Sequence, residues 1–345
     1  MSKRKTESTY KSRPNITQIA KIAGVSPTVV SLVLNHKARQ YRIHPNTEQK
    51  VKKIIEEQKF LPSELARGFR LKKTKTIGLI IADISNWFFS EIAKKLEKMA
   101  RDKGFTLLIG SSEDEIALEE DIMEKMAAKS VDGMIIASVK DAVTKKRTFH
   151  HSTPVVFLDR RVGHGQYPCV SSDNKAGAFQ LIRHFLESGI RRIAFIGGLK
   201  NVSTEQERLA GYRMALEKFG IRYDRALIKE DAFRPEFGWQ AARDLFSRPA
   251  SDWPQAIFTA SFTILEGVLK YINETDKNLF QRTRLGTFDN HPLLDILPVA
   301  IDAVEQDTQQ LTETAFALLQ EGMQGKRVVS LQRIIPPRLI IRYKM

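Results

Sequence analysis

Five apolar runs in this chain each carry, at or near their ends, side chains able to donate or accept a hydrogen bond. IGLIIADI (77–84) holds Asp83, and FTLLIGSS (105–112) ends in Ser111 and Ser112. PVVFLDR (154–160) ends in Asp159 and Arg160, QAIFTAS (255–261) ends in Ser261, and RLGTFDN (284–290) holds Asp289. Three large rings, Trp87, Phe88 and Phe89, follow the first run. Polar groups beside aromatic faces suit a polyol such as a sugar, which offers hydroxyls at its rim and C–H groups on its face. Other chemistries lack their residues. No G-x-x-x-x-G-K loop follows a strand, Gly197-Gly198 lacks the G-x-G-x-x-G spacing, and no triad or metal-ligand spacing is present. The single cysteine, Cys169, excludes an intramolecular disulfide framework and a multi-cysteine metal site. The expectation is a binding protein that needs no cofactor and no metal, not an enzyme.

A second chemistry is concentrated at the other end of the chain. Residues 1–75 hold 18 Lys/Arg against 5 Asp/Glu, a net charge of +13 out of +15 for all 345 residues. Basicity that is local and lies on patterned helices argues for nucleic acid, here double-stranded DNA. No stretch of 18 apolar residues occurs, and no apolar segment follows the basic N-terminus. Neither a membrane span nor a secretory signal is expected, and the cytoplasm is the expected compartment.

The elements that must position these groups follow from punctuation and period. ITQIAKIAGVSPTVVSLVLN (16–35) reads as a helix-turn-helix, with Gly24 where the chain reverses, Ser26 as N-cap and Pro27 at the first helical position. Two helices this short need a third to cover them. Thr47–Phe60 supplies Val51, Ile54, Ile55 and Phe60 at helical spacing, with Thr47 able to give a capping hydroxyl. The loop between, His36–Asn46, carries Lys37, Arg39, Tyr41 and Arg42, suited to phosphate contacts. The domains expected are a flexible basic tail (1–14), the headpiece (15–60), a hinge linker (61–75) and a core (76–345).

Within the core, strand-like runs alternate with helical patterns, restarting near residue 169. This is the pattern of two doubly wound parallel sheets, hence a bilobed α/β body with a cleft at the carboxyl ends of its strands. RLIIRY (338–343) alternates as an edge strand. The expected lobes are about 76–170 plus 303–330, and about 171–300 plus 331–345.

These motifs resemble the lactose/galactose repressor (LacI/GalR) family of bacterial transcription regulators over nearly the whole chain. Residues 16–35 resemble its opening signature; SSDNKAGAFQLIRHFLESGIRRIAFIGG (171–198), ERLAGYRMAL (207–216) and GTFDN (286–290) resemble three core motifs. ARQYRIHPNTEQKV (38–51), SSEDE (111–115), FTASFTILEGVLKYI (258–272) and FDNHPLLD (288–295) are most similar to the sucrose and fructose operon repressors of that family.

The resemblance implies a fold, partners and site residues. A small all-helical headpiece would precede a core like that of periplasmic binding proteins. The protein would be a homodimer, joined through helices near 89–103 and 264–273, that represses a carbohydrate operon. Each headpiece would lay its second helix in the major groove of operator DNA, with Pro27, Thr28, Ser31 and Leu32 at the base-reading positions. Where many members carry arginine, Leu32 could touch a thymine methyl. Thr17, Gln18, Ser26 and Asn35 would support the contact, with Tyr41 and Arg42 from the loop. In the linker Leu65, Ala66, Arg67 and Arg70 would flank Phe69, at the position of the residue that wedges into the minor groove. A sugar or sugar phosphate effector would meet Phe88, Phe89, Asp159, Arg160, Thr204, Arg208, Phe233, Ser261, Asp289 and Gln306. Asn290 replaces a second aspartate common in the family, which would make the site less acidic. No membrane partner is implied.

Overall fold

The computed structural model describes residues 14–60, 73–139, 153–162, 167–326 and 331–343. The chain divides into two compact units, Met1–Thr74 and Lys75–Met345.

In the first unit, three helices, α1 (Ile16–Ala23), α2 (Pro27–Leu34) and α3 (Pro45–Glu57), bury one small core. Asn15 and Gln18 form a reciprocal capping box at the start of α1, each side-chain oxygen accepting the other's backbone N–H at 2.9 and 2.8 Å. Gly24 ends α1 in the left-handed region at φ 67°, a conformation that favours glycine. Ser26 caps α2 ahead of Pro27. The cap of α3 is not Thr47 as expected. His44 takes that role, its Nδ1 accepting from Asn46 N at 3.3 Å, because Pro45 occupies the first helical position. Ile19, Ala20, Ala23, Val30, Val33, Val51 and Ile54 are buried against one another, and Ala38 and Phe60 close the cluster from outside the helices.

The second unit holds two six-stranded sheets, and so has the two-lobed doubly wound architecture read from the sequence. The first sheet is ordered β11-β5-β4-β3-β1-β2. Its strands are β1 (Thr76–Ile81), β2 (Thr106–Ser111), β3 (Gly133–Ile136), β4 (Val155–Leu158), β5 (Cys169–Ser172) and β11 (Gln332–Ile335). The second is ordered β12-β10-β9-β8-β6-β7. It is built from β6 (Ile193–Gly197), β7 (Ile228–Glu230), β8 (Ala256–Thr259), β9 (Arg284–Phe288), β10 (Ile301–Glu305) and β12 (Arg338–Ile340). All pairings are parallel except β10 with β12 at the edge. Helices α4 (Trp87–Asp102), α5 (Ile116–Ala128), α6 (Asn174–Glu187), α7 (Ser203–Lys218), α8 (Pro235–Phe246), α9 (Phe262–Thr275), the one-turn α10 (Leu279–Arg282) and α11 (Thr308–Met323) complete the body.

The boundary between the lobes differs from the expected one at two strands. β10 belongs to the second lobe, where Ile301 pairs with Leu285 and Val304 with Phe288. β11 belongs to the first, where Gln332 pairs with Cys169. The chain therefore crosses between lobes after β5, after β10 and between β11 and β12, where Pro336-Pro337 stops one strand before the next begins. Short edge strands such as β7 and β11 gave no clear period in the sequence, having few residues and no alternation of buried with exposed positions. Among the described residues no single helix is long and apolar enough to cross a membrane.

Candidate functional site

Both sheets reverse their strand order at the same place, between the first and third strands of the lobe, and polar groups gather beyond those carboxyl ends. All ten residues expected at the effector site line one cleft there. Phe88 and Phe89 come from the first turn of α4, where Asn86 caps the helix by accepting from Phe88 N at 3.0 Å. Thr204 and Arg208 lie one turn apart on α7, Ser261 caps α9, and Asp159 and Asp289 follow β4 and β9. Those two aspartates do not cap helices. Each sits in the left-handed region, at φ 65° and 74°, which turns its carboxylate beyond the end of its strand.

The floor of the cleft is a connected polar set. Gln306 Nε2 donates to Asp289 Oδ1 at 2.6 Å, and Gln306 Oε1 accepts from Ser172 Oγ at 2.5 Å. Arg208 Nε donates to Asn174 Oδ1 at 2.9 Å and Nη1 to Ala260 O at 2.5 Å, while its guanidinium lies 3.8 Å over the Phe288 ring. Arg160 pairs with Asp114 at 2.6 Å and lies between the Phe89 and Phe233 rings at 5.9 and 5.6 Å. Burial pushes the Asp159 carboxyl up to about 6, against the pull of Arg208 and Arg160. The Asp289 carboxyl is raised by burial too, opposed by Arg208 and the Gln306 hydrogen bond. Among the described residues three buried side-chain atoms lack a hydrogen-bond partner, and two of them, Asp159 Oδ1 and Arg160 Nε, are in cleft residues. Unpaired buried polar atoms are costly, which sets these two apart from the satisfied groups of the cleft floor.

Several contributors carried no signal in the sequence. Asn86, Glu113, Asp114 and Arg234 also line the cleft, beside Asp83, which the sequence placed at a strand end. Glu113 and Asp114 reach it through two consecutive left-handed residues after β2, an arrangement that only the folded loop reveals. Gly197-Gly198, which failed as a dinucleotide motif, has a packing role. A Cβ on Gly198 would fall 2.4 Å from the Phe233 ring, and one on Gly197 would strike the buried Glu205. Glu205 holds Gly198 N at 2.8 Å through Oε2, while its Oε1 is the third unpartnered atom. Burial raises its carboxyl to about 7. One expectation is corrected: Asn290 does not tune the acidity of the cleft. Its side chain turns to Glu305 at 2.9 Å and Arg342 at 2.6 Å, outside the lining.

The headpiece presents a different surface. Thr17, Gln18, Ser26, Pro27, Thr28, Tyr41 and Arg42 are exposed, and Ser31, Leu32 and Asn35 are half-buried. Leu32 is not among the side chains that pack on the headpiece core, so it is available to another surface. Gln18 is already used by the capping box, and Asn35 folds back to donate to Ser31 O at 2.6 Å. Arg42 is held in the left-handed region at φ 53°. The expected linker contacts Leu65, Ala66, Arg67, Phe69 and Arg70 lie outside the described residues, as does most of the basic tail.

Comparison with known proteins agrees with both halves. Residues 15–63 match the bacterial regulatory proteins of the lacI family, and residues 182–343 match a periplasmic binding protein-like domain. The chain is 33% identical to the sucrose operon repressor of Klebsiella pneumoniae, over 96% of this chain and 98% of that one. It is 31% identical to the fructose operon regulatory protein of Vibrio cholerae, over 95% and 99%. The crystal structure of the Cra transcriptional dual regulator from Pseudomonas putida, in complex with fructose 1-phosphate, superposes with a TM-score of 0.71 at 28% identity. That match covers 78% of this chain and 99% of the other. Headpiece, doubly wound core and full-length similarity agree: the chain belongs to the LacI family of DNA-binding bacterial transcription regulators, which are not enzymes.

Proposed function

We propose that this regulator is a homodimeric repressor of a sucrose- or fructose-type operon, released or retained on its operator by a sugar or sugar phosphate in the cleft. The observation that carries the reading is the cleft itself, with buried aspartates and arginines set against phenylalanine faces. Alternating acceptors and donors match vicinal hydroxyls, and the two buried arginines, Arg160 and Arg208, can engage several oxygens at once. The similarity to sucrose and fructose regulators points to the same ligand class. A dimer would cover the exposed Ile84, Leu293 and Ile296, large apolar side chains left on the core surface. The solved relative from Pseudomonas putida is a dual regulator. Activation at some promoters is therefore a second reading, with the same site and the sign set by where the operator lies.

The test is a thermal-shift screen of sucrose, fructose, fructose 1-phosphate and fructose 6-phosphate on the full chain. Any ligand that raises the melting temperature is then titrated into complexes of the protein with duplexes it selects from random DNA. One member should both stabilise the protein and change its DNA affinity. A protein that responds to none of the four, or responds without any change on DNA, does not work this way.

A further inference from the structure

Arg208 is one end of a longer run of contacts. Its Nε donates to Asn174 Oδ1 at 2.9 Å; Asn174 Nδ2 donates to Ser172 O at 3.1 Å and to Glu207 Oε2 at 3.2 Å. The other oxygen of Glu207 holds the Arg161 guanidinium, and Arg161 N donates to Ser203 Oγ at 2.8 Å. Arg161 follows β4 of the first lobe, whereas Ser203, Glu207 and Arg208 ride on α7 of the second. Asn174 opens α6, directly after the first crossover. Polar contacts thus lead without a break from the cleft wall, through one of the three connections between the lobes, to an ion pair that bridges them.

The two ends of this run differ in burial. Asn174 is fully buried, and its oxygen and both amide protons are engaged. Turning that amide toward one neighbour breaks a bond to another, so it favours discrete arrangements over gradual drift. The Arg161–Glu207 pair is partly buried, with side-chain exposures of 37% and 20%, and burial raises the Glu207 carboxyl against the pull of Arg161 and the Asn174 hydrogen bond. The Glu207 carboxylate therefore depends on both partners, and losing the Asn174 donor changes its balance with Arg161. A rigid amide that shares one partly buried carboxylate with an interlobe cation is the arrangement expected of a transmitter.

We infer that Arg161 and Glu207 are positioning residues that convey occupancy of the Arg208 end of the cleft to the relative orientation of the two lobes. A ligand oxygen that draws the Arg208 guanidinium competes with Asn174 Oδ1. The freed amide then turns, Glu207 loses a donor, and its pair with Arg161 shifts. The inference rests on the cleft being the effector site.

The experiment measures the interlobe distance by pulsed electron resonance. Nitroxides are placed at Glu124→Cys on α5 and Glu217→Cys on α7, in full-length Cys169→Ser chain diluted into unlabelled protein. The probes are fructose 1-phosphate, fructose and sucrose, each with its affinity measured by calorimetry. In the parent, a bound probe shifts the distance distribution. Arg161→Gln and Glu207→Gln should each keep probe affinity within about fivefold and lose most of that shift. Arg161→Lys, which keeps the charge, should retain it. A full shift in both glutamine variants overturns the inference. So does a proportional loss of affinity and shift, which is what a merely structural pair would give. A parent that binds no probe, or binds one with no shift, removes the effector reading itself and this inference with it.

Discussion

The headpiece and the cleft meet their ligands in opposite ways. The headpiece core is formed within about 45 residues of sequence, and its outward surface is made of small or apolar side chains, Pro27, Thr28, Ser31 and Leu32, on one short helix. The cleft draws on residues from Ala82 to Gln306, nearly all of them polar or aromatic, and buries most of them. One surface gains affinity mainly from charge spread around a shallow reading face. The other gains it from a few desolvated groups whose partners must be supplied. The two regions should therefore fail independently, and by different amounts.

The largest expected effect is at Arg208. Arg208→Ala removes the one cation that opposes the burial of both Asp159 and Asp289, leaving Arg160 for Asp159 alone, and removes a charge-assisted contact to the ligand. Ligand affinity should fall by about 3 kcal/mol, or roughly 150-fold, with DNA affinity measured without ligand unchanged. Asp289→Ala should behave alike, binding DNA but ignoring the ligand. Calorimetry and gel retardation on the same preparations check both. Loss of DNA binding in step with ligand binding would show that the regions do not fail independently.

A difference of the same kind governs what the sequence disclosed. The headpiece was legible because its information is local: Gly24, Ser26 and Pro27 punctuate it, and the apolar period covers it. Four of the five strand ends were legible as well, since apolar runs closing near Asp83, Asp159, Ser261 or Asp289 mark where a parallel sheet presents its ligand side; Ser111 and Ser112, at the fifth, lie outside the cleft lining. Thr204, Arg208, Phe233 and Gln306 were reached only through resemblance, because no spacing links residues that topology alone assembles. Asp114, Asn174 and Glu207 were missed for that reason. Each looks like an ordinary polar residue beside a loop or on a helix, and becomes important through a partner more than 30 residues away.

Buried acids give the core a pH dependence that sharpens the contrast. The Asp159 and Glu205 carboxyls are raised to about 6 and about 7 in the folded protein. The folded state therefore binds more protons than the unfolded chain above pH 4, and stability falls as pH rises from about 4 to 7. Each group would cost up to about 3 kcal/mol at pH 8. Glu205→Gln should raise the urea midpoint of the unliganded protein at pH 8 and leave it nearly unchanged at pH 4. A gain of equal size at both pH values would assign the effect to packing against Gly197 instead.

On the headpiece the expected losses are smaller. Removing the hydroxyls in Thr28→Ala or Ser31→Ala should weaken binding to selected DNA by about 1–2 kcal/mol each, with affinity for random duplexes and for ligand unchanged.

Leu32 should give the smallest and most specific effect. It is half-buried yet does not pack on the headpiece core, so Leu32→Ala should leave the melting of an isolated 1–60 fragment almost unaltered. A leucine in the major groove can recognise a thymine only through its methyl group, and a single methyl contact is worth about 0.8 kcal/mol. Uracil in place of one thymine in the selected duplex should then cost the parent chain roughly fourfold in affinity, by that same figure. The Leu32→Ala chain should bind both duplexes equally. If the variant still prefers thymine at every position tested, Leu32 does not read that methyl, and the specificity of this recognition helix lies with Thr28, Ser31 and the loop residues Tyr41 and Arg42.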